Sequence, residues 1–536
     1  MATQRIQFKD WLPDQPSILD AVSEANNVTP LAVGYGAFKS AVNYSGAATE
    51  DLTNCFAAKV NADVSVFAGG ATKLFKVSAT DLTMEDVSKT GGYTGINRWQ
   101  FAQFGNYALA TNGSEKIQYF DVNSSTDFAD LAAAAPVAKY ITVVRDFVVG
   151  ANIGNSANPS RVQWSDINDP TDWTAGGASQ SDYQELPDGG DITGIAGGEF
   201  GIVFLEKAIV RMSYIGSPLF FQFDTISRNV GCVEGGSITQ YGGITYFLSD
   251  DGFYSCNGQQ LTGIGSEKVD RYFYGNANIG DLDSISAAVD PERNLVIWNY
   301  TTTSGNRALI IYNFETQKWS EADTDVNYLS TLATTGTTLD AIDSAYNITA
   351  GSFVVGKSYT IRSIGTTNYT LIGAVANTIG VLFTATGVGS GTGVAIDMAA
   401  SAAALKTLDT LTTTLDDRLY AGGKFLFGGV RDTKVITFTG TPATATITTN
   451  DLEYDYNSVL TLIRPSIDNG SADVSVASRR MLDDTVTYST PVSASQEGRC
   501  SVRSAGRYHR VSITPTGANW HSAIGVDLDY TTQGTR

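Results

Sequence analysis

An all-β fold is what this 536-residue chain predicts, and three features of the sequence carry that expectation. Charged residues make up only 17% of the chain while Gly reaches 54, so Leu/Glu/Lys-rich helical stretches are scarce. Thr, Ser, Val, Tyr and Phe are plentiful, and these residue types favour strands and the turns between them. One supersecondary pattern also recurs along the chain: a short aliphatic strand, a tight polar turn, then a strand carrying aromatic residues.

The first copy is Val64–Ala68, a Gly69–Gly70 turn, and Leu74–Val77 with Phe75. The second runs from Tyr107–Thr111 through Asn112–Gly113 to Ile117–Val122, which carries Tyr119 and Phe120. A third pairs Phe147–Ala151 with Arg161–Ile167 and its Trp164, and a fourth pairs Ile202–Glu206 with Ile209–Ile215 and its Tyr214. The fifth turns at Asp250–Asp251–Gly252, between Thr245–Ser249 and Phe253–Cys256. Leu295–Tyr300 with Ala308–Phe314 is the sixth, and Lys424–Gly428 with Lys434–Thr439 is the seventh. Asn-Gly and Asp-Gly suit such hairpins because both residue types accept positive φ at low steric cost.

The first strands of the first six copies are centred at 66, 109, 149, 204, 247 and 297, which is 40 to 55 residues apart. Four short strands and their turns consume about that much chain in each blade of a propeller. The segment "IIYNFETQKWSE", Ile310–Glu321, looks like a kelch-type exit from a blade. The sequence therefore predicts a β-propeller of six or seven blades across residues 41–345, closed by sequence-distant strands. An antiparallel sandwich built from the same hairpins is the competing architecture.

The sixth and seventh copies are too far apart for one blade, and residues 346–398 account for the gap as a small inserted β module. This stretch is nearly uncharged and Gly/Thr-rich. Tyr359–Ile361, Tyr369–Ile372 and Val381–Thr384 read as its three short strands, and Ala399–Ala404 as a linker-like edge. Residues 399–445 then hold the last blade. Ahead of the propeller, residues 1–40 read as an extended N-terminal arm.

Residues 446–536 form a C-terminal β segment, read as a docking platform. Arg479, Arg480, Arg499, Arg503, Arg507 and Arg510 concentrate positive charge in a chain that is otherwise acidic. Alternation in "RYHRVSI" puts Tyr508, Arg510 and Ser512 on one face of a strand and His509, Val511 and Ile513 on the other. Either the arginines form intramolecular ion pairs on a solvated face, or Arg499, Arg503, Arg507 and Arg510 form a docking surface for an acidic partner ring.

With 35 Lys+Arg against 55 Asp+Glu the formal charge is −20, which argues against a protein that grips duplex DNA through counterion release. The N-terminus has no apolar h-region, and no run approaches the ~18 apolar residues of a membrane span, so neither a secretory signal nor a span is expected. Cys55, Cys232, Cys256 and Cys500 are far apart and read as buried free thiols. Only two histidines exist, His509 and His521, which removes most histidine-dependent chemistry.

Several phrases, in this order, carry a family resemblance: "WLPDQPSILDAVSEANNVTPLAVGYGAF", "RVQWSDINDPTDWT", "ITGIAGGEFGIVFLEKAIVRMSYIGSPLFFQFDTIS", "YFLSDDGFYSCNG" and "GRYHRVSITPTGANWHSAIGVDLDY". Together the sequence resembles the tail nozzle proteins (tail tubular protein B, or tail hub) of short-tailed, podovirus-type bacteriophages, over most of the chain except the insert. The insert is similar to a small repeat, "YTI…GTTNYT…IGA…FTATG…GTG", found in many phage virion proteins. The resemblance implies a β-propeller and a homohexamer below the portal and adaptor (head-to-tail connector) rings. It also implies a virion protein made in the host cytoplasm, with tail fibres or spikes as further partners and genomic DNA passing through the lumen without sequence-specific binding.

No signature supports catalysis, so no catalytic, cofactor-binding or metal-binding residues are expected. Ser249–Asp250–Asp251–Gly252 has the wrong spacing for a sialidase box, and Asp166–Trp173 lacks the Gly and distal Glu of a calcium loop. "GEFGIVF" lacks the Gly-Lys-Ser/Thr of a phosphate loop. A receptor- or glycan-binding virion propeller is the alternative, with a propeller glycosidase behind it. Trp164, Trp173 and Trp319 could serve such binding, but each occupies a repeat position and reads as blade core.

Overall fold

Four-stranded antiparallel sheets, one after another along the chain, dominate the computed structural model, which describes residues 2–61, 63–79, 81–94, 98–333, 347–397 and 425–532. The chain forms two compact units, the smaller built from the described parts of 59–64 and 333–424 and the larger from the remainder.

Apart from the strand ends at 59–60, 63–64 and 333, the larger unit holds a β-propeller of seven blades. Blade one is Leu52–Val60, Asp63–Gly70, Leu74–Val77 and Met84–Asp86; blade two is Gln100–Phe104, Tyr107–Thr111, Gln118–Asp121 and Ala129–Asp130. Blades three, four and five span residues 138–185, 192–227 and 239–263 in the same consecutive order, and blade six is Ser286–Asp290, Leu295–Thr301, Arg307–Asn313 and Lys318–Asp323. Blade seven is Tyr328–Ala333, Phe425–Arg431, Lys434–Thr437 and, from the other end of the chain, Val42–Asn43. Asn43 sits opposite Ile436 and Val42 opposite Thr437. This pairing closes the ring with a sequence-distant strand, and Ser330 of blade seven donates to the Cys55 carbonyl of blade one at 2.6 Å.

Every repeat seen in the sequence is the second and third strand of a blade. These strands are legible because neighbouring blades cover both their faces, so they read as nearly unbroken apolar runs. Phe147–Ile153 and Gly201–Leu205 are buried at every position, whereas the outer strand Asp182–Glu185 is exposed at every position. Aromatic and aliphatic clusters fill the seams, as where Phe67 of blade one meets Phe120 of blade two at 5.0 Å between ring centroids, and Phe204 of blade four meets Phe247 of blade five at 5.0 Å. One turn differs from the expectation: Gly69 and Gly70 lie within their strand, and the chain reverses over residues 71–73.

The stretch 1–40, expected as an extended arm, supplies four strands between residues 2 and 37 to the C-terminal sheet. Ala2–Gln7 pairs with Ser522–Thr532, as does Tyr35–Ala37, and Val22–Asn26 pairs with Thr446–Thr449. Asn26 also aligns in parallel with Glu321 of blade six. The result is a fourteen-stranded sheet running from blade six through the N-terminal strands to two 17-residue strands, Leu452–Asp468 and Cys500–Thr516. His509, Val511 and Ile513 share one face, as the alternation predicted, and all three are buried.

The smaller unit contains the inserted module, a sheet of Asn347–Thr349, Val394–Asp397, Ser358–Ser363 and Leu382–Thr384. Phe353, Tyr359, Tyr369 and Phe383 build its own core. Tyr369–Ile372, expected as a strand, is a turn of 3-10 helix: the Asn368 side chain accepts from Thr370 N at its start, and Gly373 ends it at φ +108°. The Ala399–Ala404 edge lies outside the described residues.

Candidate functional site

The C-terminal strand Cys500–Thr516 carries the four arginines expected to form a docking surface, and the structure gives them different surroundings. A register shift separates them: Glu453 sits opposite Tyr508 but Ser458 opposite Gly506, so Leu452–Asp468 bulges across from Arg507. Arg503 and Arg507 share one face of the strand and are exposed, and Arg510, at odd spacing from both, lies on the opposite face and is partly buried. A side chain at 506 has no room, since a Cβ there would come within 2.7 Å of the Arg479 carbonyl.

Arg510 is therefore structural rather than available. Its Nε and a terminal nitrogen grip the Asp451 carboxylate at 3.0 and 2.8 Å, while Arg479 reaches the same carboxylate at 2.5 Å and donates to the carbonyls of Leu482 and Asp484. Burial pushes the Asp451 carboxyl upward, but the hydrogen bonds from Arg510 and Arg479 outweigh it and hold the group below the ordinary carboxylate range. On the surface, Arg507 pairs with Glu453 at 2.7 Å and Arg499 with Glu497 at 3.0 Å. Exposed pairs of this kind are worth little and exchange partners readily. Arg503 is exposed and makes no ion pair among the described residues.

Of the two histidines, His509 is fully buried. Ser458 Oγ lies 2.8 Å from its Nε2 and Ser478 Oγ 2.6 Å from its Nδ1, and burial lowers its pKa to about 4. His521 is exposed and borders a cleft of about 1000 Å³, also lined by Thr29, Lys39, Arg293, Thr441 and Trp520.

The carboxylates weighed in the sequence serve the backbone. Asp166 accepts from Ile167 N and Gln180 N at 2.8 and 2.7 Å, while Asp169 and Asp172 each accept from the N–H two residues on, Thr171 and Thr174, at 2.9 Å, as in Asx turns. Trp164, Trp173 and Trp319 are buried and bond the carbonyls of Gln180, Pro170 and Ile264. At the fifth hairpin, Gly252 has φ +148° and a Cβ there would meet Asp270 Oδ2 at 2.2 Å. Asp270 accepts from Phe253 N, and burial raises it to about 6, with Asp14 and Asp251 adding to the rise. Glu321 is raised further, to about 7, by burial and by Glu24 and Asp323, against the hydrogen bond it accepts from Tyr272.

Where the first strands of several blades begin, a polar cluster forms that the sequence did not signal. Arg98, just before blade two, donates to the Ile285 carbonyl before blade six at 2.8 Å and lies over the Tyr328 ring of blade seven. Arg307 bonds Ser284 Oγ at 3.0 Å. Glu234 is raised by burial, opposed by Lys139 and Arg98. These residues come from separate blades and share no local pattern, so only ring closure assembles them.

No family model matches the chain, and no curated protein matches it. Among solved structures, it is similar to a chain of the crystal structure of a mitotic checkpoint complex, at 10% identity and a TM-score of 0.36, over 57% of this chain and 91% of that one. The propeller itself follows from the strand pairing. No helix among the described residues is long and apolar enough to cross a membrane.

Proposed function

We propose that the chain is a structural subunit of a short-tailed phage nozzle, six copies forming a ring whose lumen retains and then conducts the genome, without catalysis. The observation that carries this reading is the fourteen-stranded sheet. It brings together the N-terminal and C-terminal phrases that resemble nozzle proteins and joins both to blade six. A ring of this kind uses head-to-tail contacts between two different faces of each subunit, closed by rotation.

The mechanism is electrostatic and steric. At −20 per chain, six copies bring 120 net negative charges, and a lumen of the same sign as the phosphates offers duplex DNA no adhesive contact. The scarce exposed arginines, Arg503 first, then serve contacts with the adaptor ring. A mass measurement on the purified protein, alone and beside its upstream ring partner, tests the reading. A sixfold assembly that docks is the expected result. A chain that stays monomeric beside the partner ring, or that hydrolyses a surface polysaccharide, overturns it.

A further inference from the structure

We propose that Arg98 and Arg307 form, at one end of the propeller axis, a binding site for a carboxylate group brought by another molecule. Arg98 enters from blade two, yet it donates to the Ser284 and Ile285 carbonyls ahead of blade six and lies over the Tyr328 ring of blade seven. It also abuts Gly236 ahead of blade five, where a Cβ would come within 2.3 Å of an Arg98 terminal nitrogen. A side chain with neighbours on so many blades crosses the middle of the ring. Arg307 meets it there: it donates to the same Ser284 carbonyl at 3.3 Å, the distance Arg98 keeps, and lies over the same Tyr328 ring.

Two guanidiniums on one neutral carbonyl repel each other. Elsewhere this chain answers such convergence with a carboxylate, as where Arg479 and Arg510 clasp Asp451. Here neither Arg98 nor Arg307 makes an ion pair among the described residues. The carboxylates of this end are turned elsewhere: Asp281 accepts from Ser284 Oγ at 3.1 Å, and Glu234, which faces Lys139 and Asp283, is in no ion pair among the described residues. Burial, with Arg307 adding to it, holds Arg98 below the ordinary guanidinium pKa against the opposing pull of Tyr328 and Glu234. Arg98, Arg307 and Tyr328 nevertheless keep partly exposed surface. Groups crowded by protein but still reached by water line a recess.

The forked N–H groups of a guanidinium match the two oxygens of a carboxylate, and these two arginines have no anionic partner to give up. The neighbouring charges select the ligand further. Glu234 and Asp281 penalise a doubly charged anion more than a singly charged one, which favours a carboxylate over a phosphate. That carboxylate comes either from a small free acid or from an acidic side chain of another polypeptide.

Ligand-observed NMR on the full chain at constant ionic strength tests the assignment, with acetate, a capped peptide carrying one glutamate, and inorganic phosphate as probes. The expected result is binding of at least one carboxylate probe in the millimolar range or tighter, with phosphate weaker. Acetate binding assigns the site to free acids, and binding of the peptide alone assigns it to an acidic segment. Arg307→Gln should weaken binding by at least about tenfold, and Glu234→Gln, which removes a competing charge, should tighten it by about threefold or more. Arg228→Gln, at an exposed arginine beyond the outer strand of blade four, should leave it unchanged. Circular dichroism checks that each variant folds; if Arg307→Gln does not, Glu234→Gln and Arg307→Lys decide, the lysine keeping the charge but losing the fork and part of the affinity. The proposal is overturned if no carboxylate probe binds, if phosphate binds at least as tightly, if folded Arg307 variants bind as wild type does, if Arg228→Gln weakens binding as much as they do, or if Glu234→Gln fails to tighten it. Binding is read on the single chain, so its failure is distinct from failure of the nozzle reading.

Discussion

Arg98 holds its guanidinium carbon 4.1 Å from the centroid of the Tyr328 ring, joining the entrance of blade two to the first strand of blade seven across blade one. Both residues also reach the approach to blade six: Arg98 donates to the Ser284 and Ile285 carbonyls just ahead of its first strand, and Arg307 of its third strand lies over the same Tyr328 ring. A cation held by an aromatic face and charge-assisted hydrogen bonds in a shielded place fastens the closed ring.

Arg98→Ala should therefore cost about 2–3 kcal/mol, from lost charge-assisted bonds and stacking. Urea unfolding measures it; a loss under about 0.5 kcal/mol would show that the cluster does not fasten the ring.

Asp451→Ala leaves two facing guanidiniums without their carboxylate. Breaking a buried pair from one side costs about 3–5 kcal/mol, so this variant should unfold far more readily than wild type. Glu453→Ala, which removes only the exposed Arg507 pair, should change stability by less than about 1 kcal/mol.

Two buried groups give opposite pH dependences. His509 has its pKa lowered in the folded state, so the unfolded chain binds the extra proton: its contribution is fully present above about 6.5 and is lost as pH falls toward about 4, by at most about 3 kcal/mol. Glu321 has its pKa raised, so its contribution is present below the ordinary carboxylate value and is lost as pH rises through about 7. Glu321→Gln should accordingly gain stability over wild type at pH 8 and little at pH 4, while His509→Gln should flatten the acid limb between pH 6.5 and 4. Thermal unfolding from pH 4 to pH 8 reads both.

Arg503→Glu should weaken docking to an upstream ring partner and leave the fold intact, because Arg503 is exposed and makes no ion pair among the described residues. Arg510→Glu should destabilise the chain itself, since it places a carboxylate against Asp451. Equal behaviour of the two variants in binding and in unfolding would contradict this division.

Replacing residues 346–398 by a short Gly/Ser loop should leave the unfolding midpoint of the remaining chain within a few degrees of wild type, because the module buries its own aromatic core and enters between two strands of blade seven. A large fall in the midpoint would make the insert part of the main core.

Local chemistry made the seven central hairpins legible. Aliphatic runs such as Phe147–Ala151, turn residues such as Asn112–Gly113 and the blade-length spacing are all short-range properties, and the second and third strands of a blade are the ones buried on both faces. The first and fourth strands carry weaker patterns, because one side or one end meets solvent, and they emerge only in the assembled sheets. What the tertiary structure alone decided was partnership at long range. Val42–Asn43 completes blade seven, residues 2–37 supply strands to the C-terminal sheet, and Asp451 is brought under Arg510 while Arg503 is left facing solvent. Alternation alone puts those two arginines, an odd number of residues apart in one strand, on opposite faces; what the sequence left open is how each face is covered, and that is set by the packing of the whole sheet.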